Sequence, residues 1–168
     1  MVEIAECRAE DVDVLERVDP TGANRWHAHK YQRQVAGLST YLVAWDGGQP
    51  VGHGEIRWDG CASPTVLRAL PDCPELNGLS VYREELRGRG IGTALILAAA
   101  DRAVERGFAR IGLGVGADNP AAARLYARLG FVAAVEYVDV WAARDEHGVE
   151  HRFEDPGTFL VKDLTPPR

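Results

Sequence analysis

The clearest chemical pattern in the sequence is the glycine-rich run RGRGIG, which occupies residues 87–92. Residues 76–81 before it predict a β-strand, and the alanine- and leucine-rich residues 91–106 after it predict a helix. Glycines let successive backbone N–H groups converge on one ligand, and the first turn of a helix adds partial positive charge. The run is therefore a candidate anion site, with a phosphate group as its ligand.

Two common phosphate-binding patterns do not fit this run. A nucleoside-triphosphate P-loop ends in Gly-Lys followed by Ser or Thr, whereas Gly92 is followed by Thr93 and an alanine. The dinucleotide pattern GxGxxG lacks its third glycine here, although Gly112, Gly114 and Ala117 match its relaxed form downstream. Those glycines alternate with apolar residues inside a predicted strand, so they do not form the turn after one. A glycine face on a strand instead indicates close packing against its backbone.

Two segments resemble the GNAT superfamily of N-acetyltransferases. The segment LSVYREELRGRGIGTALI resembles the acyl-CoA-binding motif Q/R-x-x-G-x-G/A, whose positions Arg87, Gly90 and Gly92 fill. The segment DNPAAARLYARLGF resembles the strand-to-helix segment that follows in the family, with Asn119, Tyr126 and a Gly-Phe ending in place. The two segments occur in the family's order and at its separation, and together they span residues 79–131.

This resemblance implies a site for acetyl-CoA as the acyl-donor substrate. The loop amides would hold the pyrophosphate, and residues 79–81 would pair with the pantetheine arm. The glycine-faced strand, residues 110–116, would splay away and leave a slot for that arm. The cofactor-contacting residues implied are Leu79, Ser80, Val81, Arg87, Gly88, Arg89, Gly90, Ile91, Gly92, Thr93, Asn119 and Arg124.

Acyl transfer to an amine also needs a base for the ammonium proton and an acid for the leaving thiolate. The resemblance places the acid at Tyr126, and a tyrosine with a pKa of about 10 can protonate a thiolate of about 8.5 in a mildly uphill step. Glu75 and Glu55, both on predicted strands, are the candidates for the base. Glu75 is preferred because it begins the central strand. The amide of Val81 is the candidate donor to the oxyanion.

The sequence thus predicts an N-acetyltransferase that acts on a primary amine of a small molecule or peptide. A non-catalytic acyl-CoA-binding module of the same fold is the alternative, and the presence of Tyr126 favours catalysis. In this family the acceptor pocket comes largely from the first helices and last strands, here residues 11–37 and 135–159. These segments carry no motif that identifies the acceptor.

The elements that must position these residues alternate between strands and helices. They predict an α+β fold: a mixed, mostly antiparallel sheet with helices on both faces and one strand-helix-strand crossover. The resemblance makes this the acyl-CoA N-acyltransferase fold, with a splayed parallel strand pair at its centre, in a single domain of residues 1–168. We expect strands at residues 2–5, 41–45, 51–58, 76–81, 110–116, 132–142 and 158–163, helices at residues 9–18, 24–36, 91–106 and 119–129, and a long loop at residues 59–74.

Composition excludes several other classes of protein. The formal net charge is −6 and the basic residues are scattered, so we expect no nucleic-acid partner. The longest apolar run is far shorter than the roughly 20 residues of a membrane span, and we expect a cytoplasmic protein with free thiols at Cys7, Cys61 and Cys73. His27 and His29 lie two apart on a predicted helix, which puts them on different faces, so no metal site is predicted. A homodimer stays open.

Overall fold

The computed structural model describes residues 1–83, 88 and 90–164. Its strands are β1 (Val2–Glu6), β2 (Ser39–Asp46), β3 (Gln49–Arg57), β4 (Glu75–Val81), β5 (Arg110–Gly116), β6 (Val132–Arg144) and β7 (Glu150–Asp163). Its helices are α1 (Asp11–Val18), α2 (Trp26–Val35), α3 (Pro64–Ala69), α4 (Ile91–Glu105) and α5 (Pro120–Arg128). Among these described helices, none is long and apolar enough to span a membrane.

The seven strands form one sheet in the order β1-β2-β3-β4-β5-β7-β6. Neighbouring strands run antiparallel except β4 and β5, which are parallel and joined by the α4 crossover. In the described residues their ladder holds one register pair, Glu75 with Gly112, beyond which the two strands diverge. The predicted mixed sheet with a splayed central pair and helices on both faces is confirmed.

Both faces of the sheet are buried, and strand β2 shows how. Tyr41 and Val43 pack against α1 on one face, while Leu42 and Ala44 join the core under α4 on the other. Successive side chains of a strand point to opposite faces, so a run of six buried residues needs a layer of helices on each side. Helices α4 and α5 cover the face of Leu42 and Ala44, which we name the first face, and α1, α2 and α3 cover the face of Tyr41 and Val43, which we name the second face.

A register shift in the β3–β4 ladder reshapes the centre of the second face. His53 lies opposite Ser80, whereas Glu55 lies opposite Asn77, so β4 contains an extra residue between these pairs. Gly78 occupies this bulge with a left-handed φ of +64°. A Cβ atom at Gly78 would lie 2.8 Å from the Lys30 Nζ atom of α2, and the left-handed backbone angle is the reason that glycine is favoured here.

All of the predicted strands and helices are present, with two differences. The predicted loop at residues 59–74 contains helix α3, because Pro64 occupies the first helical turn, where its missing N–H costs nothing, and Val66 is buried against the sheet. Strand β7 begins at Glu150 and not at Thr158. Its first part is exposed and polar and is held by pairing with β6, so it carries no apolar alternation.

The glycine face of β5 packs closely, as the sequence indicated. A Cβ atom at Gly112 would overlap the Phe159 ring, and one at Gly114 would overlap the Tyr137 hydroxyl. The expectation that these glycines leave room for the pantetheine arm is therefore wrong at these two positions. The room is filled by aromatic side chains of β7 and β6.

We predict that Gly112→Ala destabilises the protein. The added methyl would overlap Phe159 and would lie 3.0 Å from the Leu160 carbonyl oxygen. The free energy of unfolding should fall by about 1–3 kcal/mol, as in other overpacked cores, when measured by urea denaturation. Gly92→Ala is the matched control, because nothing lies within 4 Å of the added atom. Equal stability of the Gly112→Ala protein and the wild type would contradict this account of the packing.

Candidate active site

The start of α4 is built to bind an anion. Gly88 and Gly90 have left-handed φ angles of +82° and +81°, and Gly90 is the N-cap of the helix. The Ala94 N–H donates to the Gly90 carbonyl at 2.8 Å, which closes the first helical turn. The N–H groups of Ile91, Gly92 and Thr93 precede this bond and have no acceptor within the helix. They are free to donate to a phosphate group.

A cavity of about 830 Å³, which we name the loop cavity, lies at this helix start. It is lined by Leu79, Ser80, Val81, Gly88, Gly90, Ile91, Gly92, Thr93, Asn119, Ala121, Leu125 and Arg128. Nine of the predicted cofactor-contacting residues are therefore brought together, while Arg87 and Arg89 lie outside the described residues. Arg124 is exposed and does not line the cavity, whereas Arg128, one turn further along α5, does.

A second cavity, the gap cavity, lies where β4 and β5 diverge and has a volume of about 250 Å³. It shares Leu79 and Asn119 with the loop cavity. Asn119 also caps α5, since its Oδ1 atom accepts from the Ala122 N–H at 3.2 Å. Tyr126 lines the gap cavity from α5 and packs edge-on against Phe131, with 6.2 Å between the ring centroids. Burial raises the pKa of Tyr126, so it is a hydroxyl at neutral pH.

A third cavity, the hairpin cavity, lies on the opposite face of the sheet beside the β6–β7 hairpin and measures about 370 Å³. It shares Leu76, Gly78 and Gly114 with the gap cavity. The gap cavity in turn shares residues with the loop cavity, so the three cavities adjoin one another where β4 and β5 diverge.

The two candidate bases have different positions. Glu75 is buried and lines the hairpin cavity, where Asn77 donates to it at 2.9 Å. Burial raises the pKa of Glu75. Glu55 lines none of these three cavities. Its carboxylate accepts from the Arg33 guanidinium at 2.9 Å and from the Ser39 hydroxyl at 2.5 Å.

Two residues of the hairpin cavity were missed by sequence reasoning. Tyr137 and Asp139 line it from β6, and Asp139 lies directly opposite Asp155 of β7. Burial and then the Asp155 carboxylate raise the pKa of Asp139. The charged, glycine-containing residues 145–148 after the strand predicted at 132–142 were the available signal, because a turn there pairs the two halves of the hairpin and sets these residues in register.

The histidines group differently from the sequence pattern. His27 is buried beside His53, with 5.3 Å between their ring centroids, whereas His29 is exposed. Potential ligand atoms of Asp19, His27 and His53 lie within 4.8 Å of one another. Each histidine ring nitrogen lies within hydrogen-bond distance of a protein group, so the geometry requires no metal, and the absence of one stays a prediction.

Comparison with known proteins identifies this arrangement. Residues 9–131 match the acetyltransferase (GNAT) family. The chain belongs to the GNAT acetyltransferase family. Its predicted membership is thereby confirmed, and the match covers every described element from α1 to α5.

Individual relatives show how far the likeness extends. A mycothiol acetyltransferase from Corynebacterium aurimucosum is 47% identical over 62 residues, which are 37% of this chain and 20% of that protein. The chain therefore spans about a fifth of the length of this curated relative. The ribosomal-protein-S18-alanine N-acetyltransferase of Escherichia coli has a TM-score of 0.69 at 18% identity and covers 100% of this chain and 97% of its own. YncA from Salmonella typhimurium, solved with acetyl-CoA, has a TM-score of 0.65 at 20% identity, over 98% and 94% of the two chains. These structures share the fold of the chain.

We predict that Arg128 contributes more than Arg124 to binding of coenzyme A. Arg128→Gln removes a guanidinium from the wall of the loop cavity and should weaken the affinity by about threefold to tenfold in isothermal titration calorimetry. Arg124→Gln changes the same side chain one turn earlier on α5 and should leave the affinity within about twofold. Equal losses in both variants would mean that only the net charge matters.

Proposed function

We propose that this protein transfers the acetyl group of acetyl-CoA to a primary amine of a small molecule or peptide. The observation that carries the proposal is the series of three adjoining cavities where β4 and β5 diverge. An acyl donor on one face and an amine on the other would meet at Gly78 and Gly114, which line both the gap and hairpin cavities. This permits direct attack of the amine on the thioester.

The donor site is supported by the chemistry of the loop cavity. Free N–H groups of the first turn of α4 would hold the pyrophosphate, and Arg128 adds positive charge. The β4 backbone at Leu79 and Val81 lines the same cavity, where it would pair with the amides of the pantetheine arm. The amide of Val81 stays our candidate donor to the oxyanion.

The hairpin cavity supports a cationic acceptor. Its charged lining groups in the described part of the chain are the carboxylates Glu75 and Asp139, and no lysine or arginine is among its lining residues. Two carboxylates in a partly closed cavity attract an ammonium group and repel an anion. A primary amine is therefore favoured over a carboxylate-bearing acceptor at this position.

The proton transfers assign a role to two residues. An alkyl amine with a pKa of about 10.4 is charged at neutral pH, and its deprotonation costs roughly 4–5 kcal/mol at about 1.4 kcal/mol per pKa unit. Glu75 would accept this proton. Because burial raises its pKa, the Glu75 carboxylate is a stronger base than an ordinary carboxylate. Tyr126, at the gap cavity, would donate its hydroxyl proton to the leaving thiolate.

Release of free thiol from acetyl-CoA tests the proposal. The purified protein would be incubated with acetyl-CoA and one of four amines: spermidine, kanamycin, glycinamide or an alanyl peptide amide. At least one amine should raise the rate of thiol release above the rate without amine. Binding of acetyl-CoA without thiol release under any of these conditions would favour the non-catalytic binding module. Failure to bind acetyl-CoA at millimolar concentration would reject both functions.

We predict that Tyr126→Phe lowers kcat by about a hundredfold, because the thiolate then leaves without a proton donor. The KM for acetyl-CoA should stay within about twofold, since the ring still packs against Phe131. Steady-state kinetics with saturating amine would measure both constants. A larger change in KM than in kcat would assign Tyr126 to binding and not to proton donation.

We predict that Glu75→Gln and Glu55→Gln separate the two candidate bases. Glu75 accepts a proton only when ionised, and burial raises its pKa, so kcat/KM should fall with decreasing pH at a higher pH than for an ordinary glutamate. Glu75→Gln should abolish this acidic limb and lower kcat by about a hundredfold. Glu55→Gln should keep kcat and lose stability, because Arg33 loses a partner. The reverse pattern of kcat values would identify Glu55 as the base.

A further inference from the structure

The β6–β7 hairpin carries most of the net negative charge of the chain. Residues 136–155 contain seven acidic and two basic residues, so their formal charge is −5, compared with −6 for the whole chain. This segment extends past the end of β5, because the β5–β7 ladder stops where Gly116 lies opposite Gly157. The net charge of the protein is thus concentrated on one element beside the hairpin cavity, where it attracts cationic partners.

Two of these carboxylates lie opposite each other without a compensating cation. Asp139 of β6 is in register with Asp155 of β7. In the described part of the chain, no lysine, arginine or histidine forms an ion pair with either carboxylate. Like charges directly opposite each other on neighbouring strands are destabilising. A cationic ligand between them would remove this repulsion.

An aromatic pair lies next to these carboxylates. Trp141 follows Asp139 by two residues, so both side chains point to the same face of β6. The Trp141 indole stacks on Phe153 with 4.3 Å between the ring centroids, and its Nε1–H donates to the Asp155 carboxylate at 2.7 Å. Trp141 is nevertheless 42% exposed. A fixed indole with an open surface beside carboxylates suits a guanidinium or ammonium group.

A further cavity, the tip cavity, lies where the end of the hairpin meets α2 and has a volume of about 400 Å³. Its lining includes Trp26 and His29 of α2 and residues 142–144 and Glu150 of the hairpin. Asn24, just before α2, joins the two walls. Its Nδ2 group donates to the Arg144 carbonyl at 3.0 Å, and the Arg144 N–H donates to its Oδ1 atom at 2.6 Å. The walls of the tip cavity are therefore held together by the protein itself.

The hairpin and tip cavities follow each other along one strand. Strand β6 lines the hairpin cavity with residues 137–140 and the tip cavity with residues 142–144, and Trp141 lies between these stretches. Each residue of a strand adds about 3.3 Å, so Asp139 and Ala143 are roughly 13 Å apart along β6. An extended peptide of about five residues has this length.

We propose that the acceptor is a basic peptide, bound extended along β6 with its reactive amine in the hairpin cavity. The inference rests on the proposed acetyl transfer and names the acceptor class of that reaction. Basic side chains two to four residues beyond the amine would lie at Trp141 and Asp155 and, further along the hairpin, at Glu150. The peptide would end at the tip cavity.

The extent of this surface favours a peptide over a small amine. A small amine that fills the hairpin cavity leaves Trp141, Asp155 and the tip cavity without contacts, whereas a peptide reaches all three. The charge of the hairpin then selects among peptides. Its carboxylates attract arginine and lysine side chains and repel acidic ones.

Three peptide amides of equal length test the proposal, each with one primary amine at its N-terminus. They are Ala-Ala-Arg-Ala-Arg, Ala-Ala-Gln-Ala-Gln and Ala-Ala-Glu-Ala-Glu, and spermidine serves as a cationic acceptor that is not a peptide. Thiol release from acetyl-CoA would be measured at low and high NaCl concentrations. At low salt, kcat/KM for the arginine peptide should exceed that for the glutamine peptide by at least about tenfold, and the glutamate peptide should be slower still. The preference should shrink at high salt, because ions screen exposed charges.

A charge-matched pair of double variants locates the preference on the hairpin. Glu150→Gln with Asp155→Asn should reduce the preference for the arginine peptide to within about threefold. Asparagine at position 155 can still accept from the Trp141 Nε1–H, so the aromatic pair keeps its hydrogen bond. The control is Glu3→Gln with Glu105→Gln, two exposed residues of β1 and α4 whose substitution changes the net charge equally. The control should keep the wild-type preference.

Equal kcat/KM values for the arginine and glutamine peptides in the wild type would overturn the inference and leave the proposed function intact. The same holds if spermidine is a better acceptor than the arginine peptide, or if both double variants lose the preference equally. The peptide series on the wild type decides the question even if the hairpin variant does not fold. Absence of thiol release with every amine would instead reject the proposed function and this inference with it.

Discussion

The divergence of two parallel strands is the constraint on which the rest of this structure depends. Strands β4 and β5 share the single described pair Glu75–Gly112 and then separate, which leaves the backbone groups facing the gap without partners in the ladder. Buried backbone groups without hydrogen bonds are unfavourable, so such a gap is stable where water or a ligand with its own amides can enter it. The three adjoining cavities lie at this divergence.

The neighbouring strands hold the gap open. Strand β5 pairs with β7 along its whole length, from Arg110 opposite Asp163 to Gly116 opposite Gly157. Phe159 of β7 and Tyr137 of β6 pack closely against the glycine face of β5. These contacts hold β5 against the β6–β7 hairpin. On the other side β4 is held by β3, with a bulge at Gly78. The gap is therefore fixed by pairing and packing on both flanks and does not depend on a ligand.

The sequence predicted the parts of this molecule whose cause is local. The start of α4 and the Asn119-Pro120 cap of α5 are each determined by adjacent residues, and the structure has them where the sequence indicated. The hairpin cavity could not be predicted in the same way. Tyr137 and Asp139 reach it through the register of β6 on β7, and the polar cluster of His27, Tyr41, His53 and Tyr82 likewise joins residues from four segments that approach only in the folded chain.

The charged groups differ between the two faces of the sheet. Under the proposed function, this difference would direct each substrate to its own cavity. The loop cavity offers free N–H groups and Arg128, which favour a polyanionic donor. The hairpin cavity offers Glu75 and Asp139, which favour a cationic amine and disfavour phosphates. Under the proposed function, each site would therefore disfavour the other's ligand by charge, and the neutral residues Leu76, Gly78 and Gly114, which line both the gap and hairpin cavities, would lie where the two substrates meet.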